Sequence, residues 1–128
     1  MKYIKKIKPF HTDERGSMSR LLDSEINITS ILIISCKKGS IRANHYHKKD
    51  THYSYMLKGE MEYFYKNPKL KNGKINKLIV KEGEIVCSPP MIAHAMKFTQ
   101  ESTFLVFTTE PRDQKAYAKD TVRVPLIR

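Results

Sequence analysis

Four of the five histidines fall in two compact segments, with His45, His47 and His52 in the first and His94 in the second. Imidazole gains and loses a proton near neutrality, and in its neutral form it is a good ligand for divalent transition metals. The spacing allows these rings to converge. Alternate residues of a strand share a face, so His45 and His47 project the same way. A short turn would bring His52 from the next strand, and His94, after Pro89-Pro90, would come from a later strand opposite the first pair. Such a set suits one Zn, Fe, Ni, Mn or Cu ion, or metal-free acid–base work. A His-x-His pair alone is more often a surface or core pair, but here Gly39 and Gly59 flank it at regular spacing.

The elements that would position these residues are strands. Runs rich in Ile, Val, Tyr and Phe recur at Ser30–Ser35, Ile41–His47, His52–Leu57, Glu60–Tyr65, Lys77–Val80, Glu84–Cys87, Ala95–Phe98 and Thr103–Thr108. Turn signals separate them: Lys38-Gly39, Lys58-Gly59, Asn72-Gly73, Glu82-Gly83 and Pro89-Pro90. No long stretch carries a helical period. Many short strands with regular turns predict an all-β sandwich or barrel. Lys66–Lys77 reads as an exposed hairpin loop turning at Asn72-Gly73. The polar tail from Pro111 onward is expected to pack along the outside or onto a partner subunit.

At 128 residues and 40% hydrophobic, the chain suits one domain over residues 1–128. It contains no run of about 18 apolar residues that would span a membrane. Its basic start, Met1 to Lys8, lacks the apolar stretch of a signal peptide, so a cytoplasmic protein is expected. Cys36 and Cys87 lie far apart in apolar stretches and read as free thiols of a reducing compartment. The net charge of +11 suits an anionic partner, such as a phosphorylated small molecule, or a soluble lysine-rich surface. No helix-turn-helix, zinc-finger or aromatic RNP pattern accompanies the lysines, which argues against dedicated nucleic-acid binding.

The first histidine segment resembles motif one of the cupins: Gly39, five residues, His45-x-His47, four residues, His52 where the family has an acidic ligand, six residues, Gly59. The second resembles motif two through Gly83, Pro89 and His94, with Met91 in place of the motif's Gly and Phe98 in place of its Asn. The resemblance implies a single cupin domain, a double-stranded β-helix or jelly-roll barrel, with motif one at about 39–59 and motif two at about 83–98. It also implies a metal shell of three His and one Glu, which His52 would turn into an uncharged set of His45, His47, His52 and His94.

Three further stretches are similar to the dTDP-4-keto-6-deoxyglucose 3,4-ketoisomerases and related sugar-nucleotide epimerases of this class. They are Asp13-Glu14-Arg15-Gly16, Arg42-Ala43-Asn44-His45-Tyr46-His47-Lys48 (with Ala43 where those enzymes have Gly), and Tyr117-Ala-Lys-Asp120-Thr-Val-Arg123. The resemblance implies an isomerase or epimerase acting on a nucleotide-linked 4-keto-6-deoxy sugar, no organic cofactor, and a homodimer. A metal-dependent cupin enzyme and a non-catalytic ligand-binding cupin are the alternatives.

The chemistry follows from the residue types. Moving a carbonyl from C4 to C3 requires a base for the C3 proton and an acid for C4, through an enediol. His45 and His47 are the candidate acid and base, with Tyr55 or Tyr53 as proton carrier. Arg42 would bind the diphosphate or steady the enediolate, and Arg15 and Tyr53 would bind substrate. Each has a structural alternative. Strict alternation puts Arg42 opposite His45 unless the strand bulges or begins near Asn44. Tyr53 and Tyr55 alternate away from His52 and suit packing. Arg15 can hold its own turn through Asp13. Lys48-Lys49-Asp50 reads as a solvated turn, and His11 as structural or exposed. Tyr117, Asp120 and Arg123 can anchor the tail.

Overall fold

The structure, a computed structural model, describes residues 4–23 and 25–128; the start of the basic segment, Met1-Lys2-Tyr3, lies outside them. Its elements are β1 (Ile4–Lys6), β2 (Pro9–Asp13), β3 (Gly16–Ser19), β4 (Ser30–Cys36), β5 (Ile41–His47), β6 (His52–Lys58), β7 (Glu60–Lys66), β8 (Asn76–Lys81), β9 (Glu84–Ser88), β10 (Ala93–Phe98), β11 (Ser102–Thr108), α1 (Gln114–Asp120) and β12 (Thr121–Arg123). All eight predicted strands form, most with a residue or two added at an end. The fold is all-β, a jelly roll of two five-stranded antiparallel sheets. One has the order β1-β9-β6-β11-β4, and the other β12-β5-β10-β7-β8. Beside them, β2 and β3 make a separate hairpin.

Alternation builds the interior. In β6, His52, Ser54 and Met56 are buried while Tyr53 and Tyr55 are only partly so; in β11, Ser102, Phe104, Val106 and Thr108 point inward. One part of the inner space is apolar: Met56, Met61, Tyr63, Val80, Val86, Phe98 and Phe104 are all essentially inaccessible. Burying a side chain of this kind contributes roughly 1.5–3 kcal/mol. Phe98, at the position of the motif-two Asn, stacks on Phe104 with ring centroids 5.5 Å apart and belongs to this core. The second part holds His45, His47, Asp50, His52 and His94, all buried.

The β7–β8 connection turns twice, Leu70 N donating to Asn67 O at 3.2 Å and Gly73 N to Leu70 O at 3.0 Å, so Asn72-Gly73 closes the second turn. Gly59 earns its motif position by packing: it has φ +93°, and a Cβ there would come within 2.7 Å of Glu101 O. Cys36 and Cys87 are both free. No helix among the described residues is long and apolar enough to cross a membrane.

The tail departs from expectation. Rather than lying on the outside, it returns to β5 as a fifth strand, with Thr121 opposite His47 and Arg123 opposite His45. Asp113 caps α1 by accepting from Ala116 N at 3.1 Å. Asp120 accepts from Lys49 N at 2.8 Å and Asp50 N at 3.2 Å. Arg123 Nη1 donates to Ala43 O at 2.9 Å. Asp120 and Arg123 are therefore anchors, and α1 lies over the histidines.

Candidate functional site

A bulge in β5 sets the site. His94 pairs with His45 but Ala95 pairs with Ala43, so Asn44 is an extra residue on the β5 side. Ala43 and Asn44 have φ of +70° and +56°. The Asn44 side chain ties this kink to the tail, its Oδ1 accepting from Leu126 N at 2.9 Å and its Nδ2 donating to Ile127 O at 3.1 Å. The bulge resets the alternation, and Arg42 lines the same cavity as His45. A left-handed backbone at Ala43 also gives the physical reason for the Gly that the resembled enzymes carry there. Met91, in the place of the motif-two Gly, has φ +66° for the same reason, and its N–H donates to His47 O at 2.7 Å.

His45 lies edge-on to His47 at 4.6 Å and to His94 at 4.9 Å between ring centroids, and His47 lies 4.3 Å from His52. The four do not form a single shell. Ligand atoms of His45, His47 and His94 lie within 4.8 Å of one another, and so, separately, do those of His47, Asp50 and His52. Nor is the site free of carboxylate. Asp50, expected in a solvated turn, is 2% exposed. Its Oδ1 accepts from Thr109 N at 3.0 Å and Glu110 N at 3.1 Å, and its Oδ2 lies 2.7 Å from His52 Nε2. Burial alone would raise the Asp50 pKa, but the hydrogen bonds from His52 and the two amides together hold it below the usual carboxylate value.

Burial pushes the His45 pKa down to about 2, His47 to about 4 and His94 to about 3, with neighbouring histidines adding to each shift. These three rings are neutral at neutral pH. His47 Nδ1 faces Thr121 Oγ1 at 3.3 Å and Asp120 Oδ2 at 3.6 Å, while its Nε2 is enclosed with no hydrogen-bond partner. A neutral imidazole held by a carboxylate on one nitrogen and unpartnered on the other has the arrangement of a metal-ready ligand. By donor chemistry and proximity, His45, His47 and His94 fit a divalent transition ion.

The cavity, about 100 Å³, is lined by His45, His52, His94, Ser54, Arg42, Arg112 and Tyr117 together with apolar residues of the core. His47, 1% exposed, lies beside the lining rings, 4.6 Å from His45 and 4.3 Å from His52 between centroids. His52 joins His45 on the wall. Tyr53 and Tyr55, expected there as a proton carrier, do not reach it. They lie on the outer face of β6, opposite Cys87 and Ile85 of β9, away from the cavity. Arg15 is also elsewhere. Its side chain, 81% exposed, is held by Asp13 at 2.8 Å at the tip of the β2–β3 hairpin, and His11 pairs with the same carboxylate at 3.1 Å.

Three residues of the site escaped the sequence reading: Asp50, Ser54 and Arg112. Tyr117, noted there as a tail anchor, sits in the cavity wall with its ring 5.6 Å from that of His47. For Asp50 the only sequence signal was its position two residues before His52 on the same turn. Ser54 shares a strand face with His52 and was legible in principle. Arg112 carries no motif.

Residues 20–123 match the family model described as Cupin, and the chain belongs to the cupin family. No curated protein matches it in sequence. Among solved structures it resembles a histidine variant of QdtA, a 3,4-ketoisomerase from Thermoanaerobacterium thermosaccharolyticum in complex with TDP-4-keto-6-deoxyglucose, at 20% identity and TM-score 0.73 over 94% of this chain and 85% of that one. WlaRA, a TDP-fucose-3,4-ketoisomerase from Campylobacter jejuni, aligns at 21% identity and TM-score 0.75 over 95% and 89%. The dTDP-4-dehydrorhamnose 3,5-epimerase of Sulfolobus tokodaii aligns at 20% and 0.72 over 92% and 73%. At these identities the likeness establishes the shared fold.

Proposed function

We propose that the protein is a sugar-nucleotide isomerase or epimerase, transferring protons on a nucleotide-linked 4-keto-6-deoxy sugar. The observation that carries this reading is the His52–Asp50 pair on the wall of a cavity shared with His45 and two arginines. A carboxylate 2.7 Å from one ring nitrogen stabilises the imidazolium that forms when the other nitrogen takes a proton, so His52 is the base in this scheme. It removes the proton at C3. The C3–H electron pair becomes the C3=C4 double bond and the carbonyl pair moves onto O4. Protonation of O4, return of a proton to C4 and loss of the O3 proton, which forms the C3 carbonyl, complete the 3-keto product with its new 4-hydroxyl. In this scheme His45, neutral at working pH, offers an N–H to the carbonyl oxygen, and Tyr117, also on the cavity wall, relays protons. The names of the resembled structures support the substrate class. The cavity falls short of the roughly 300 Å³ of an enclosed ligand site, so the nucleotide would lie outside it. Arg42 is exposed and anchored by Nε donation to Cys36 Sγ at 3.0 Å; there it suits the diphosphate. Incubation with TDP-4-keto-6-deoxyglucose and related nucleotide sugars, followed by NMR, tests the reading. It predicts a keto-shifted or epimerised sugar, and unchanged substrate throughout would exclude it.

The outer face of the β6-bearing sheet supports a homodimer. Ile31, Phe107 and Tyr53 form one cross-strand row, and Ile33, Leu105 and Tyr55 the next, with Ile31 and Ile33 more than 60% exposed. Such a face is the kind that a second copy covers. Tyr53 and Tyr55 then serve assembly. Sugar nucleotides are made and used in the cytoplasm, where this reading places the protein.

A metal-dependent reading rests on the enclosed, unpartnered His47 Nε2. His45, His47 and His94 would hold the ion, which would polarise the sugar carbonyl as a Lewis acid. Stoichiometric zinc, iron, nickel, manganese or copper in untagged protein would support it. Failure of all five to bind chelator-treated protein would remove it.

A further inference from the structure

Arg112 lies between the end of β11 and the cap of α1, and its guanidinium reaches the histidine cavity. Its Nε and Nη1 are enclosed and have no hydrogen-bond partner. Guanidinium cannot shed its charge, so a protein that buries one normally supplies a carboxylate or carbonyls for its fork. The buried Asp50 and the partly buried Asp120 are committed elsewhere. Asp50 receives Thr109 N, Glu110 N and His52, and Asp120 receives Lys49 N, Asp50 N and the Nδ1 side of His47. What holds Arg112 is the face of Tyr117, 3.9 Å from the guanidinium carbon to the ring centroid. That contact fixes the plane of the guanidinium, and its Nε–H and Nη1–H, which point from different edges, are left without an acceptor. Ser54, on the same cavity wall, also has an enclosed hydroxyl without a partner. Arg42, by contrast, spends Nε on Cys36 Sγ and Nη2 on Ser35 O.

We propose that Arg112, with the Ser54 hydroxyl as a second donor, is the oxyanion-binding group of the histidine cavity, and that the ligand portion bound there carries a pair of adjacent oxygens sharing a negative charge. The identity of that oxygen pair in the reaction rests on the isomerase reading: it is the O3–O4 edge of the enediolate, which is neutral in the ground-state sugar and charged only as the C3 proton leaves. Arg112 then acts on the reaction rather than on substrate affinity, and its loss lowers kcat on the order of 100-fold with KM nearly unchanged.

The test does not need turnover. Chelator-treated full-length protein is titrated with tropolone, whose planar anion presents two adjacent oxygens, and with its neutral methyl ether. The proposal predicts saturable binding of tropolone and at least tenfold weaker binding of the ether. It also predicts at least tenfold weaker tropolone binding to Arg112→Met, a substitution that keeps an apolar stem against Tyr117, and an intermediate loss for Arg112→Lys. Absence of tropolone binding, equal binding of the ether, or equal binding by folded Arg112→Met would overturn it. The ether comparison uses the unaltered protein and so stands even if a variant does not fold. If tropolone binding depends on Arg112 while no nucleotide sugar is turned over, the oxyanion site holds and the isomerase reading fails.

Discussion

The two parts of the jelly-roll interior are built on the same alternation but to opposite ends. Around Phe98, Phe104, Met56 and Met61 the inward positions are large and apolar, with matching surfaces. Around His45, His52 and His94 the inward positions are polar, burial keeps the rings of His45, His47 and His94 neutral, and Ser54 and Arg112 hold donors with no protein partner. Tyr63 joins the halves: its ring stacks on His94 with centroids 5.9 Å apart, and its hydroxyl meets Ser88 Oγ at 2.8 Å. The apolar part stabilises the fold, and the polar part draws on that stability to keep groups in states they would not choose in water.

Acid should break the comparison most strongly. The His45, His47 and His94 pKa values are lower in the folded protein, so the unfolded chain binds protons first as pH falls below about 6.5. Their stability contribution is full above that value and is lost steadily toward pH 4. With three groups the loss approaches about 4 kcal/mol per pH unit. Urea midpoints of chelator-treated protein should therefore drop from pH 6.5 to 5, above the range where carboxylates titrate. A flat profile over that range would show the rings are not held neutral. In the apolar half, Phe98→Ala should lose about 3–5 kcal/mol at pH 7.5. Asp50→Asn, which weakens the acceptor joining His52 to the chain after β11, should lose about 3 kcal/mol together with most of the activity. If its stability is unchanged, Asp50 is not the buried hub described. At the small end, Ala43→Gly should gain about 1 kcal/mol by relieving the left-handed backbone at φ +70°, read as a raised Tm.

Which residues were legible in the sequence follows the same division. Strands β4 to β11 announce themselves through β-branched and aromatic runs, and β5 begins and ends where its pattern does. By contrast, β1, β2, β3 and β12 are short and exposed or only partly buried, and the seven-residue α1 buries nothing, so none leaves a period to read. His45, His52 and His94 were placed by motif spacing. Asp50 was missed because Lys48-Lys49-Asp50 looks solvated until two amides from beyond β11 close over it. Arg112 was missed because its partners, Tyr117 and the cavity, are assembled only by the returning tail. At Ala43 and Met91, where the resembled patterns have Gly, the backbone is left-handed and carries the larger side chains.

The central claim is that the polar half moves protons on a sugar nucleotide, with His52 as the base. Turnover of TDP-4-keto-6-deoxyglucose in deuterated water tests it most directly, with NMR locating deuterium in the recovered sugar for the unaltered protein and for His52→Gln. The account predicts a 3-keto product labelled at C4, or labelling at C3 and C5 if the enzyme is an epimerase, and loss of that label in the variant. Deuterium incorporation unchanged in His52→Gln, or absent from the unaltered protein with every nucleotide sugar offered, would contradict it.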